Sequence, residues 1–549
     1  MKFLIGISDC ALIIDHFGGQ DYYSDPFNYN SNSCLLKTFK SLYLHLMNAE
    51  NIKELRKQLG LNQKEFADKM NVTIVTISKW EREIATPRKK HMAILKIMGK
   101  NKSRDNIAAY RPIQYLGSKL RLLNDIKNHI DTYSNGNTIC DLFSGSGVVS
   151  NYLSSSYKLV ATDIQEYSCI LTNSLLDNKH LNSNQLDQII KFIEKPSNFK
   201  NSLNVTQELI NYENKCLNQA RKDDVTALVK FSRESSLYIH KIENNQGVNS
   251  RLANLKKTFF ENKNSSNLII TNLYGGVYFS YEQAVYIDVI RQTVQSNGKW
   301  NKSIKNLILA ALISTASEIT NTVGKQFAQP MKLLNKDGLP KQLLIERTIR
   351  DKNYSVLEVF KQTLKKVNAA RKHVSNLDHE VFCGDSLDFL SSYAGKIDCF
   401  YADPPYTIDH YSRFYHVLET ITKYDSPILA TMNKKGAPKV MNGLYRIDRH
   451  QSSFCIPSQV KDAFSKMIQG CASYQAPLII SYSPYDHAND ERPRLLKTQE
   501  IKEIAHKYYK SINIIPADGH IHRKLHSTNK NTTGIENCEV FIICSGVIT

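Results

Sequence analysis

Asp403-Pro404-Pro405-Tyr406 sets one carboxylate, a stiff corner with fixed backbone carbonyls and one aromatic face in four consecutive positions. The six residues before it, Ile397-Asp398-Cys399-Phe400-Tyr401-Ala402, lean apolar and predict a buried strand. Two prolines end that strand, because proline donates nothing to a ladder and holds the preceding residue extended. The carboxyl end of a strand is where open α/β sheets bind ligands. The chemistry suited to this corner is activation of an exocyclic amine on a planar base. Its two N–H groups would point at the Asp403 carboxylate and the Pro404 carbonyl, with Tyr406 stacked on the ring. Taken alone, the tetrapeptide is equally well read as a proline turn after a strand.

Other elements must bring a second ligand to that corner. Thr138 to Phe143 read as a short strand entering Asp141-Leu142-Phe143-Ser144-Gly145-Ser146-Gly147, with a helix start at Val148. Glycines there let the backbone turn tightly and approach a ligand closely. No Gly-Lys-Ser/Thr follows, so the loop is not a P-loop, and Ser150 stands where a dinucleotide fingerprint needs a third glycine. A second strand, Lys158 to Thr162, ends in Asp163-Ile164, a carboxylate placed for ribose hydroxyls or for capping the strand end. Upstream, Arg111-Pro112-Ile113-Gln114-Tyr115-Leu116-Gly117-Ser118-Lys119 precedes an amphipathic helix from Leu120 to Ile130.

Strands resume at Glu380-Val381-Phe382-Cys383, followed by Gly384-Asp385-Ser386. Asp385 lies 18 positions before Asp403, room for a helix and the next strand. Further strands are expected at Leu478 to Tyr482 and as a closing pair near Ile512–Ile515 and Val540–Cys544. Between the halves, residues from about 180 to 375 are Asn- and Lys-rich and helical in periodicity. Leu357, Phe360, Leu364 and Val367 form one apolar stripe, while Lys361, Lys365 and Lys372 fall elsewhere, as a solvated face or a DNA path. An insertion of that length is no loop and is expected to be a substrate-facing domain. His520, His522 and His526 have no sulfur or carboxylate set to complete a metal site, so no metal is expected and the segment reads as a mobile basic loop near DNA.

The balance of 71 basic against 52 acidic residues, net +19 with a pI near 9.2, favours a polyanionic partner such as nucleic acid. Eleven cysteines without a C-x-x-C pair argue for reduced thiols rather than a disulfide framework or zinc site. No apolar run reaches the length that spans a bilayer, and Asp9 interrupts the faint signal-like start, so a cytoplasmic, non-membrane protein is expected.

Residues 1–46 are unassigned, and Met47 is a plausible functional start. Residues 47–100 carry 12 Lys+Arg against 6 Asp+Glu and read as short helices: one with Ile52, Leu55 and Leu59 on one face, a second through Phe66, Ala67 and Met70, a third with Val75, Ile77 and Trp80, and a fourth from His91 to Met98. Thr73 is the expected N-cap of the third. The segment from Leu61 to Arg82 resembles the lambda-repressor/Cro-type helix-turn-helix family. That resemblance implies Gln63, Thr73, Thr76, Ser78 and Lys79 facing DNA and Ala67, Val72, Ile77 and Trp80 in a small core.

After a linker at 101–109, residues 110–549 resemble the Dam-like, alpha-group DNA adenine methyltransferases in the order of their elements: Y-L-G-S-K, D-L-F-S-G-S-G, Asp163, a long insert, Asp385, then D-P-P-Y. The fold implied is α/β: a Rossmann-like class I methyltransferase sheet from 110–180 and 376–549, a largely helical target-recognition insertion at 181–375, plus a small all-α helix-turn-helix domain. The implied cofactor is S-adenosylmethionine. Tyr115, Gly117 and Lys119 would contact it from the first element, and Asp141, Phe143, Gly145 and Gly147 from beneath its methionine part. Asp163, with Ile164, would hold the ribose and Asp385, with Ser386, the adenine. Asp403 would touch both cofactor and target, and Asp403, Pro404, Pro405 and Tyr406 would hold a flipped adenine. Tyr115 replaces a tryptophan common in the family, and stacking survives that change.

Extruding a base costs a few kcal/mol, and stacking on Tyr406 returns about 1–3 kcal/mol. No Pro-Cys dipeptide is present, which weighs against cytosine ring methylation. The alternatives are a DNA-binding regulator with a vestigial methylase, and methylation of the cytosine 4-amino group or of RNA. The fused module suggests a modification enzyme of a restriction–modification system that binds its own promoter. Duplex DNA is the expected partner; the target sequence and the oligomeric state stay open.

Overall fold

The computed structural model describes residues 49–58, 61–70, 72–82, 84–87, 91, 95, 109–243, 250–434, 437–484, 494–517 and 539–548. The chain divides into two compact units, residues 1–106 and 107–549. The histidine segment 520–526 and most of the expected fourth helix lie outside the described residues.

In the smaller unit, α1 (Ala49–Gln58), α2 (Gln63–Met70) and α3 (Ile74–Trp80) bury Ile52, Leu55, Phe66, Ala67, Met70, Ile77 and Trp80 against one another, with Val72 packed alongside. Asn62 caps α2 by accepting from the Lys64 and Glu65 amides, both at 2.9 Å. Glu65 reaches back to the Asn62 amide at 2.7 Å, which closes a capping box. Thr73 caps α3, accepting from Thr76 N at 3.3 Å, as the sequence leads one to expect.

In the larger unit, α4 (Leu123–Tyr133) precedes β1 (Thr138–Asp141), then α5 (Val148–Leu153), β2 (Lys158–Asp163) and α6 (Glu166–Leu175). The insertion follows as α7 (Ser183–Ile193), α8 (Pro196–Ala220), α9 (Thr226–Glu234), α10 (Leu237–Ile242), α11 (Arg251–Glu261), α12 (Ile269–Tyr274), α13 (Tyr281–Ser296), α14 (Lys302–Ile319), α15 (Gln342–Lys352) and α16 (Val356–Ala370). Next come β3 (Glu380–Cys383), α17 (Ser386–Ser392), β4 (Cys399–Ala402) and α18 (Tyr411–Lys423). A hairpin of β5 (Thr431–Lys434) and β6 (Ala437–Val440) leads to α19 (Val460–Ser473), β7 (Leu478–Tyr482), α20 (Thr498–Ala505), β8 (Tyr509–Pro516) and β9 (Val540–Val547). The β5–β6 hairpin was not legible in the sequence.

The seven-stranded sheet has the order β3-β2-β1-β4-β7-β9-β8. Neighbours from β3 to β7 are parallel, while β9 runs antiparallel to both β7 and β8. This mixed α/β sheet matches the class I methyltransferase architecture expected from the sequence. Register places Asp141 beside Ala161 and Tyr401, and Asp163 beside Cys383, so the strand-end carboxylates share one edge.

The helical insertion shares its core with the helices that flank the sheet. Leu307, Ile308, Leu312 and Ile313 of α14 belong to the same buried cluster as Tyr167 and Leu171 of α6 and Tyr415 and Leu418 of α18. On α16, Phe360, Leu364 and Val367 are buried, as their stripe implied, and Leu357 packs against the same cluster. Lys361 pairs with Glu194 at 2.6 Å and Glu358 at 2.9 Å, while Lys365 and Lys372 face solvent. Deep in this core the Lys352 ammonium meets Glu213 at 2.7 Å, and both are nearly sealed from water. The described cysteines carry free thiols. No described helix is long and apolar enough to cross a membrane.

Candidate active site

The ends of β1, β2, β3 and β4 on the carboxyl edge deliver Asp141, Asp163, Asp385 and Asp403, four of the residues singled out in the sequence. β4 is buried along its whole length and stops at Pro404-Pro405, so Asp403 projects from a fixed corner. Its Oδ2 lies 2.9 Å from Lys119 Nζ. The same ammonium lies 3.1 Å from Glu539 Oε1 and donates to the Gly117 carbonyl at 3.1 Å, three acceptors for its three protons. Burial lifts the Asp403 carboxyl to about 6, against the pull of Lys119 and with the help of Glu539. Burial opposes charge on Lys119, but Asp403 and Glu539 together hold it well above its ordinary range, so it stays an ammonium.

Glu539 is a residue the sequence reading missed. Because β9 runs antiparallel beside β7, its leading end lies at the edge where the parallel strands finish, and Ser481 of β7 donates to Glu539 Oε1 at 3.0 Å. A carboxylate opening the last strand was the only signal available.

Tyr406 is half-buried, edge-on to Tyr482 at 5.5 Å, with the Arg494 guanidinium 4.7 Å from its ring centre. The Tyr115 ring stacks on Tyr415 at 5.1 Å and on Tyr411 at 5.6 Å. Leu116 N donates to Tyr415 Oη at 2.7 Å, which ties the first element to α18. Gly117 has φ +76°, and a Cβ there would meet the Tyr411 hydroxyl at 3.3 Å.

The glycine loop lies under Tyr115. Gly145 has φ +52°, and a Cβ there would come within 2.9 Å of the Tyr115 ring. Gly147, at φ +75°, is the N-cap of α5. Gly145 N donates to Asp163 Oδ2 and Gln165 N to Asp163 Oδ1, both at 2.8 Å. Asp163 therefore ties the loop to the end of β2, and each oxygen keeps a second acceptor position; Ile164 beside it is exposed. Asp141 Oδ2 accepts from Ser150 Oγ at 2.6 Å, whereas its buried Oδ1 has no hydrogen-bond partner. Burial pushes both Asp141 and Asp163 to about 7. Phe143 meets Phe454 edge-on at 5.3 Å. Asp385 caps α17 through Leu387 N at 2.8 Å, and Ser386 is buried at its start.

The helix-turn-helix candidates divide. Thr73 and Lys79 are exposed and Thr76 and Ser78 half-buried on α3, whereas the Gln63 amide donates to Glu81 at 2.8 Å.

A model of the D12 class N6 adenine-specific DNA methyltransferases matches residues 115–307 and 349–444, more than half of the chain. The chain belongs to that family. A helix-turn-helix family model matches residues 52–95. Among similar proteins are Modification methylase LlaI of Lactococcus lactis subsp. lactis, 26% identical over 58% of this chain and 39% of its own length, and Type II methyltransferase M.FokI of Planomicrobium okeanokoites, 23% identical over 73% of this chain and 50% of its own. Type II methyltransferase M.NlaIII of Neisseria lactamica is 22% identical over 72% of this chain and 89% of its own length. The chain thus spans half or less of the first two. Membership of this D12 class implies a methyl donor. The site fits one: an unpartnered buried Asp141 oxygen and the free acceptor positions of Asp163 share one edge with a loop whose Gly145 packs directly against the Tyr115 ring.

Proposed function

We propose that this D12-class chain, a Dam-like, alpha-group enzyme, transfers a methyl group from S-adenosylmethionine to the 6-amino group of adenine flipped out of duplex DNA. The observation that carries the proposal is the convergence of Asp403, Lys119, the Gly145 loop and Asp163 on one sheet edge.

Bound there, S-adenosylmethionine supplies an electrophilic methyl on a sulfonium. Tyr115, Gly117 and Lys119 would contact it from the first element, Asp141, Phe143, Gly145 and Gly147 would lie beneath its methionine part, Asp163 and Ile164 would hold the ribose, and Asp385 and Ser386 the adenine. The target amine is a weak nucleophile because its lone pair is delocalised into the ring. Its two protons would be accepted by the free Asp403 oxygen and by the Pro404 carbonyl, which draws the nitrogen toward a tetrahedral shape. Lys119 occupies Oδ2 and so leaves Oδ1 to the amine. Tyr406 would stack on the purine, worth about 1–3 kcal/mol. No covalent enzyme intermediate is needed.

The helical insertion is the proposed target-recognition element. The helix-turn-helix unit would bind DNA, including the promoter of its own gene, as part of a restriction–modification system; the names of the similar methylases support this context. Duplex DNA incubated with tritiated S-adenosylmethionine is expected to gain N6-methyladenine, and Asp403→Ala should be silent. No label, or label in N4-methylcytosine, overturns the reading. If removal of residues 47–100 leaves expression unchanged and alters site choice, the regulatory part fails.

A further inference from the structure

We propose that His410, Arg413 and Arg449 form a binding site for a backbone phosphate of the DNA strand that carries the target adenine. The inference rests on the methyltransferase reading above and adds a subsite to it. Arg449 lies beyond the stretches that the family model matches.

The three side chains meet beside the catalytic corner. His410, four positions after Tyr406, is the N-cap of α18 and makes no side-chain capping bond. Arg413 lies in the first turn of that helix, and Arg449 follows the β5–β6 hairpin back toward it. Arg413 Nε donates to Tyr445 Oη at 3.0 Å. The Arg413 and Arg449 guanidinium carbons lie 5.2 and 5.6 Å from the Tyr445 ring centre, and that ring is buried. Both cations are thus held by a rigid aromatic plate rather than by counter-charges. Neither has a carboxylate oxygen within 4 Å among the described residues. Arg446, on the same segment, shows the opposite arrangement, with Asp425 and Asp448 each at 2.7 Å.

The cluster also has unmet hydrogen-bonding capacity. Arg449 Nε and His410 Nδ1 are buried atoms without a hydrogen-bond partner. Leaving a buried donor unmade is costly unless a ligand completes it. Burial, then Arg449 and His450, keeps the His410 imidazole below its ordinary range, with Arg413 adding to that effect and Asp409 opposing it. A 13-residue helix presents its positive end to the same space. Half-buried guanidinium groups, the open Arg449 Nε–H donor and a helix N-terminus together suit a compact oxyanion, and guanidinium forks match phosphate oxygens. A nucleotide flipped onto Tyr406 must carry its flanking phosphodiesters past the next few residues of the chain, where this cluster stands. Phosphate contacts of this kind fix strand register without reading sequence.

The test measures binding of a fluorescent duplex, containing the site found by modified-base sequencing of DNA treated with the wild-type protein, by anisotropy over a range of KCl. The plot of log K against log[KCl] should lose about one unit of slope in Arg449→Gln and keep the wild-type slope in Arg449→Lys. A duplex with a single methylphosphonate next to the target adenine should lower the wild-type slope by the same amount and leave Arg449→Gln unchanged. This second arm needs no variant to fold. Equal slopes for wild type and Arg449→Gln, or equal slopes for wild type on both duplexes, overturn the phosphate site. So does a change in KM for S-adenosylmethionine as the sole effect of Arg449→Gln. Failure of the wild type to methylate any DNA would instead sink the methyltransferase reading, whatever the slopes.

Discussion

The Lys119 ammonium lies 3.1 Å from Glu539 Oε1, joining the first and last segments of the catalytic unit behind Asp403. Glu539 thereby does two things at once. It aims the lysine at Asp403 Oδ2, and its negative charge helps keep the Asp403 carboxyl near 6. The acid limb of methyl transfer should therefore lie near pH 6, where Asp403 loses its ability to accept from the amine. Removing the Glu539 charge removes an influence that raises Asp403, so in Glu539→Gln the limb should move to lower pH. Single-turnover rates between pH 5 and 8 check this; an unmoved limb means that Glu539 does not act through Asp403.

Gly145→Ala should weaken cofactor binding. The backbone there has φ +52°, which costs an L-residue about 1–2 kcal/mol. The new methyl would also press on the Tyr115 ring. Calorimetric titration with S-adenosylmethionine should show at least about a tenfold loss, the equivalent of 1.4 kcal/mol. Wild-type affinity would mean that the loop does not hold the cofactor.

Lys352→Met should destabilise the catalytic unit by about 3–5 kcal/mol, because it leaves Glu213 charged and buried. Glu213 also accepts from Tyr281 N at 2.7 Å, so the double variant with Glu213→Gln should recover part of the loss. Denaturant melts of the three proteins test the order of stability.

Thr73→Ala removes the cap of α3 and should cost about 1 kcal/mol in the helix-turn-helix unit. The loss should appear in thermal melts of the full chain as a lowered melting transition of that unit.

Local chemistry explains why much of the site was legible in the sequence. Pro404-Pro405 ends the central strand β4, Gly145 and Gly147 sit at positive φ where glycine is favoured, and Asp163 and Asp385 each follow an apolar run by one or two residues. Such features act over a few positions, so their spacing exposes them. The order of the elements along the chain carries the family resemblance. Asp385 shows the limit of this: its carboxylate accepts from Leu387 N as a helix cap, a use that composition cannot separate from ligand binding.

Other features depended on elements far apart in the chain. Glu539 reaches Lys119 only because β9 inserts antiparallel between β7 and β8, which places the residue just before it at the catalytic edge. Arg449 meets Arg413 only because the β5–β6 hairpin returns the chain to α18 across Tyr445. The insertion shares its core with α6 and α18 because α14 is apolar on nearly all sides and must be surrounded. The sequence alone determined the corner, the loop and the strand ends, since these follow from backbone restrictions on proline and glycine and from short apolar periods. Only the tertiary structure decided which charges meet, because strand order and hairpin return bring together residues that no local period relates.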